Sequence, residues 1–356
     1  MAEITTKQYN LKDIVPGMTI GKPIVGVNGR VILGEGIILS QRIIDQLANW
    51  GIHKLDIQEL NQTVTAHVQE LEYYAQRTKD NYENSLDSLK TYFEQTRRYK
   101  KISVASMREL SSKSIEEMVS TPSIISFLLM MERKDDYTFH HSLNVAILSG
   151  VLGKWLGVGG QDLKDLIFAG LLHDTGKTLV DIDILNKPDK LSKKEFEIMR
   201  YHPILGYELL RESLELPEAV RLGVLQHHER MDGSGYPLNL AGGQIHYFAK
   251  IIAIVDIYDA MTSDRVYQTK LDPFSVIETL ASEMFGKIDA EFCTIFLQNI
   301  SNYLTGKFMR LSDGRIAEVV YYDNVAYRRP IVRTDDNEFI DLNKNKSVEI
   351  SEVIDV

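Results

Sequence analysis

Two adjacent histidines open the segment HHERMDGSGYP, residues 227–237, and together they can present two imidazoles to metal at once. Gly233 and Gly235 let the backbone bend sharply or come close to a ligand, and Pro237 fixes the exit of the turn. The segment therefore reads as a metal site joined to a substrate loop. Its partners must come from elsewhere in the chain. His141 shares a helical face with Val145, Leu148, Leu152 and Trp155 and so points inward. His140 lies about 100° around the same helix, beside Asn144, and is the weaker candidate. In KDLIFAGLLHDTGK an apolar helix ends on His173-Asp174, a dyad that is costly to bury unless paired or metal-bound. Asp174 can bridge two cations through its two oxygens, whereas an imidazole gives one nitrogen to one metal. Lys177 is the natural phosphate contact; without the dyad it would read as a charge meeting a helix C-terminus.

His202 precedes Pro203 in MRYHPILGYELL, where the proline belongs in the first turn of a helix. The helix before it has a capping-box start, Ser192 with Glu195. Asp256 lies inside IIAIVDIYDAM, where an unpaired carboxylate would cost several kcal/mol. Metal ligation or a buried arginine are its two ways out. Asp259 has Arg265 nearby in sequence, so a salt bridge is the reading for Asp259 and ligation the reading for Asp256. His141, His173, Asp174, His202, His227, His228 and Asp256 thus form a nitrogen and oxygen set large enough for two metals of the Fe, Mn or Zn kind. Two cations bridged by a carboxylate and a hydroxide are a standard arrangement for phosphoester hydrolysis.

The elements that must position these residues fall into four segments. Residues 1–61 read as a small α+β unit: short strands, a hairpin signal at Asn28-Gly29, and a helix capped by Ser40 and stopped by Gly51. Residues 62–119 form a helical connector. Val64, Val68, Leu71, Ala75, Thr78, Tyr82, Leu89 and Tyr92 recur at threes and fours, which fits a homodimer seam and packing on the chain's own domain equally well; Thr78 and Ser85 weaken the heptad pattern. Residues 120–305 carry helical periodicity and nearly all the chemistry. Residues 306–356 alternate as a short β unit, with turns at Asp313-Gly314 and Asp335-Asp336-Asn337. The fold class is mainly α.

The 356 residues are 44% hydrophobic with a net charge of −10 and one cysteine, Cys293. That charge argues against a nucleic-acid polymer or an anionic membrane as the main partner. One cysteine excludes an internal disulfide and a thiolate zinc cage. With neither a signal-peptide pattern at the start nor an apolar run of ~18 residues, the expected location is cytoplasmic.

The spacing of His141, HDTGK and Asp256 resembles the HD-domain phosphohydrolases. YTFHHSLNVA, ILNKPDKLSKKEFEIMRYHP, LQHHERMDGSGYP and IVDIYDAMTSDRVY resemble successive signatures of the HD-GYP subfamily, the bacterial cyclic di-GMP phosphodiesterases, over roughly residues 120–305 in the family's order. The resemblance implies an HD-GYP helical bundle in which the seven residues above ligate two divalent ions, Fe or Mn, with Asp174 bridging. It also implies that Lys177, Gly235, Tyr236 and Arg265 lie on the substrate, with Asp174 and Lys177 catalytic. The implied reaction is hydrolysis of cyclic di-GMP to pGpG, with GMP as a further product, by a metal-bridging hydroxide in line with the departing 3′ oxygen.

Two positions depart from the family pattern. Some members recruit a third metal through a Glu four residues before the first ligand; here that residue is Tyr137, so two metals are expected, with Asp136 the nearest alternative ligand. Three residues after Arg265, where Arg or Lys is common, stands Gln268, which weakens the phosphate grip or moves it to Lys270. Three functions remain in view: the cyclic di-GMP enzyme, a phosphodiesterase for cyclic GMP-AMP or a mononucleotide, and a signalling adaptor that binds a dinucleotide or a partner protein through the GYP surface.

Overall fold

The computed structural model describes residues 5–15, 18–25, 31–34, 37, 39, 43–44, 47–48, 51–59, 62–121, 123–131, 137–187, 189–213, 215–263, 271–322 and 329–354. The chain divides into two compact units, Met1–Arg77 and Thr78–Val356. In the first, β1 (Thr5–Asn10) pairs antiparallel with β4 (Lys54–Glu59), and β2 (Ile24–Val25) pairs with β3 (Val31–Leu33). Ile20, Leu39, Leu47, Leu55 and Ile57 make its core. Gly51 closes the short helix before β4 at φ +71°, donating to the Ala48 carbonyl at 3.0 Å, which is the stop its sequence position implies. The Asn28-Gly29 turn and the Ser40 cap lie outside the described residues.

A long helix, α1 (Gln62–Tyr99), runs into the second unit. From Thr78 onward its inward face, Tyr82, Leu86, Leu89 and Phe93, is buried against Met107, Ile115 and Met118 of the same unit. Packing within the chain thus accounts for this part of the apolar stripe. Ser85 and Thr96, poor seam residues by type, are buried at little cost because each hydroxyl donates to a carbonyl one turn back, Asn81 and Tyr92. Beyond α1 lie α2 (Val104–Leu110) and α3 (Ile124–Met130), then the helices that hold the chemistry: α4 (Tyr137–Trp155), α5 (Gly160–Leu172), α6 (Lys193–Met199), α7 (His202–Arg211), α8 (Glu218–Gln226) and α9 (Tyr247–Thr262). Two more, α10 (Pro273–Glu283) and α11 (Ala290–Leu304), complete the bundle.

The α4 helix is buried on every side from His141 to Gly153, so its core contacts are not confined to the one face that its histidine shares. Its neighbours α5 and α9 pack along it as equally apolar rods. The capping box at Ser192 and Glu195 is present and starts α6. After α11, five antiparallel strands, β5 (Phe308–Leu311), β6 (Ile316–Tyr321), β7 (Ile331–Thr334), β8 (Phe339–Asp341) and β9 (Ile350–Ile354), form a sheet in the order β8-β7-β6-β5-β9. Alternate residues Met309, Leu311, Ala317, Val319 and Val332 point into the same continuous core as the helices. The fold is mainly helical, with a small C-terminal sheet.

Candidate metal centre

The apolar helix α5 delivers His173 at its C-terminal end, where the ring Nδ1 donates to the Gly170 carbonyl at 2.7 Å. The same device repeats twice. His202 Nδ1 donates to Met199 O at 2.8 Å, and His227 Nδ1 to Val224 O at 2.7 Å. A carbonyl oxygen only accepts, so each Nδ1 carries the hydrogen, and in the neutral ring Nε2 is left with a bare lone pair. His141 is held differently: its Nδ1 lies 2.8 Å from a carboxylate oxygen of Asp259.

All four Nε2 atoms converge on Asp174, which is 1% exposed. His173 and His141 approach its Oδ2 at 3.3 and 3.6 Å, while His202 and His227 approach Oδ1 at 3.2 and 4.0 Å. Two groups result, His141-His173-Asp174 and His202-His227-His228, each with ligand atoms within 4.8 Å of one another. Asp256 spans them, with Oδ1 3.1 Å from His141 Nε2 and Oδ2 3.8 Å from His228 Nδ1. Asp174 Oδ1 is buried and makes no geometrically sound hydrogen bond. Nε2 atoms face each other at 3.3 Å between His173 and His141, and at 3.2 Å between His202 and His227. Lone pairs so opposed repel unless a proton or a cation intervenes. The residues therefore fit a pair of divalent ions: imidazole nitrogens with their far nitrogens fixed, a two-sided carboxylate between them, and an unsatisfied oxygen.

The electrostatics separate the two groups. Burial pushes His141 down, but hydrogen bonds and charge from Asp256 and Asp259 reverse this and raise it to about 9. Burial lowers His202, and it lowers His227 and His228 much further because neighbouring imidazoles add to it. In the His202–His227 pair, then, neither ring readily takes the proton that would relieve the contact. Burial would raise Asp174 and Asp256, but electrostatic attraction and hydrogen bonds, from His173 and Lys177 at Asp174 and from His141 at Asp256, hold both well below the carboxylate range.

The turn after Asp174 must pass very close to α7. A Cβ on Gly176 would stand 1.9 Å from the His202 carbonyl oxygen and 2.5 Å from Gly206 N, so only glycine fits. Lys177 reaches back to Asp174 Oδ2 at 2.5 Å with its side chain 23% exposed, on the open side of the site. Two groups lie against the Tyr236 ring: His228, with ring centroids 4.6 Å apart, and the Arg200 guanidinium, 4.8 Å from the ring centroid. Burial, and then Asp256 and Asp174, push the Tyr236 phenol up, so it stays neutral. Glu229 ties this loop down by accepting from Leu238 N at 2.6 Å and Leu240 N at 2.9 Å. Gly235 packs against it; a Cβ there would lie 2.4 Å from Arg230 N, so this glycine serves the closure of the loop itself.

All seven proposed ligands meet in this one cluster. Arg265, Gln268, Lys270 and Asp136 lie outside the described residues. The expected salt bridge of Asp259 with Arg265 therefore falls outside the described residues; within them the Asp259 carboxylate takes His141 Nδ1 on Oδ2 and Asn144 Nδ2 on Oδ1, both at 2.8 Å. His140, the neighbour of His141, pairs instead with the Tyr82 hydroxyl at 2.9 Å. Sequence reasoning missed Asn144, Tyr82, Arg200 and Glu229. Of these only Asn144 left a signal, since one helical turn separates it from His140 and His141.

Residues 125–292 match the family model described as HD domain. The chain is thus similar to HD domains over the segment that holds all seven candidate ligands. It is 34% identical over 228 residues to cyclic di-GMP phosphodiesterase PA4108 of Pseudomonas aeruginosa, covering 64% of this chain and 55% of that protein. It is 32% identical over 201 residues to 3'3'-cGAMP-specific phosphodiesterase 1 of Vibrio cholerae, covering 54% and 46%. The chain spans about half the length of these curated relatives. In fold it is similar to Bd1817, a HDG"Y"P protein from Bdellovibrio bacteriovorus, with a TM-score of 0.52 and 16% identity over 83% of this chain and 100% of that one. No described helix is long and apolar enough to cross a membrane.

Proposed function

We propose that the helical unit is a phosphodiesterase that hydrolyses cyclic di-GMP to pGpG, and by a second cleavage to GMP, using two divalent ions, Fe or Mn. The observation that carries this reading is Asp174: its two oxygens face two separate imidazole groups whose Nε2 atoms point at it and at one another. His141, His173, Asp174 and Asp256 would hold one ion, and His202, His227, His228 and Asp174 the other. When bound, such ions supply Lewis acidity, activating water and offsetting charge at phosphorus. Tyr137 presents a phenol that stacks on the His141 ring at 5.5 Å and 15°, not the carboxylate of a third-metal ligand, which favours two ions.

The remaining roles belong to side chains around the cluster. Once Asp174 is neutralised by cations, the Lys177 ammonium is free to take the charge that builds on a non-bridging phosphate oxygen. Tyr236, backed by His228 and Arg200, offers a neutral aromatic face and a phenolic donor for a guanine or a phosphate. Arg265 remains a proposed phosphate contact by its place in the motif. The relative specific for 3'3'-cGAMP gives a second reading of the same site, with a mixed cyclic dinucleotide as substrate.

The test is anaerobic purification, metal analysis, and assay of cyclic di-GMP, cyclic GMP-AMP and a cyclic mononucleotide under one metal condition with product identification. Fastest turnover of cyclic di-GMP to pGpG is the expected result. Faster turnover of cyclic GMP-AMP selects the second reading. Stoichiometric metal with tight dinucleotide binding and no product overturns both and leaves an adaptor.

A further inference from the structure

We infer that Tyr82, on α1, is a positioning residue for the metal centre, acting through Asn144 and Asp259 on His141. The inference rests on the metal-binding reading above and concerns what holds one of its ligands in place.

The contacts form a chain with a defined direction. The Tyr82 hydroxyl donates to Asn144 Oδ1 at 2.8 Å. That fixes which end of the carboxamide is which, so Asn144 Nδ2 donates to Asp259 Oδ1 at 2.8 Å. The second oxygen of Asp259 is then left to His141 Nδ1, also at 2.8 Å. With a hydrogen held on Nδ1 by Asp259, the neutral His141 ring that an ion requires has its bare Nε2 aimed between Asp174 and Asp256. Every link is buried: Tyr82 is 1% exposed, Asn144 0%, Asp259 1% and His141 3%. Water is therefore poorly placed to substitute for a missing donor. The ring of Tyr82 already packs edge-on against Phe127 at 5.3 Å, a contact that phenylalanine would keep. His140 Nδ1 lies 2.9 Å from the same hydroxyl and can donate to it, which leaves the phenolic hydrogen for Asn144. Remove the hydroxyl, and Asn144 loses the donor that holds its carbonyl away from Asp259; with the carboxamide rotated, two acceptors would meet. Asp259 would then shift, and His141 with it.

The experiment is titration of the full-length, metal-stripped protein with Mn(II), reading free ion by its electron paramagnetic resonance signal. Tyr82→Phe should weaken Mn(II) binding by about 10-fold, the low end for groups that orient a ligand from behind. Asp259→Asn should weaken it more, and adding Tyr82→Phe to Asp259→Asn should cost nothing further, because the hydroxyl acts only through that carboxylate. Phe127→Leu, which loosens the ring's packing and leaves the hydroxyl, should lower the melting temperature without changing Mn(II) affinity. Unchanged affinity in Tyr82→Phe overturns the inference, as do additive losses in the double variant or an equal loss in Phe127→Leu. A parent protein that binds no Mn(II), Fe(II) or Zn(II) would instead overturn the metal-centre reading on which this one stands.

Discussion

The two imidazole groups share Asp174 but are built differently. In the His141-His173 group, one ring is backed by a carboxylate, and both rings are almost entirely buried. In the His202-His227-His228 group, His202 and His227 are backed by main-chain carbonyls, and the His228 side chain is 18% exposed beside Tyr236. A carboxylate behind an imidazole makes it a more basic, more tightly oriented donor than a carbonyl does. On the proposed metal-binding reading, the first group would hold its ion more firmly and the second would leave a side open for substrate.

The largest effect belongs to the residue common to both groups. Asp174→Ala should remove metal from the whole site and lower turnover by at least about 10³-fold, checked by metal analysis beside the cyclic di-GMP assay. Near-normal activity would end the idea of a shared carboxylate. The contrast between the groups is tested by His141→Ala and His227→Ala in parallel: ion affinity should fall about 100-fold in the first and nearer 10-fold in the second. Equal losses would mean that carboxylate backing confers no advantage. Lys177→Ala should keep both ions yet slow turnover by about 10²-fold, because it leaves the ligands intact and removes a cation from the open side. Lost metal in that variant would show that Lys177 is part of the scaffold.

A subtler contrast concerns pH in the metal-free protein. His227 and His228 are held well below their ordinary range, so below about pH 6.5 the unfolded chain binds more protons than the native one and stability falls with acid. His141 is raised to about 9, so its contribution is present below the unfolded value and is lost as pH climbs toward 9. Melting temperature in chelator should therefore decline on both sides of neutrality, acid attacking one group and alkali the other. A flat profile across that span would remove the electrostatic distinction.

The seven candidate ligand positions were legible because each pairs a polar side chain with an apolar or sharply turning context, as at His173-Asp174 or inside IIAIVDIYDAM. The sheet after α11 was legible from its alternation. What orients the ligands was not. Asp259 meets His141 across 118 residues of chain, a pairing that no local spacing announces. Tyr82 looked like one more apolar position in a heptad, since periodicity reports that a ring is buried but not where its hydroxyl points. Glu229 was hidden in the same way: an exposed-looking acid in a polar run, whose carboxylate in fact closes its own loop.

Gly176 has a consequence for how the site can vary. Its α-carbon rests on the backbone at His202 and Gly206 with no side chain between. The span from the His173-Asp174 turn to α7 is therefore gauged by main chain against main chain, a spacer whose thickness no core substitution can alter. Related sequences could exchange much of the surrounding packing and still keep the two histidine groups at the same separation. At this one position even an added methyl group would prise them apart.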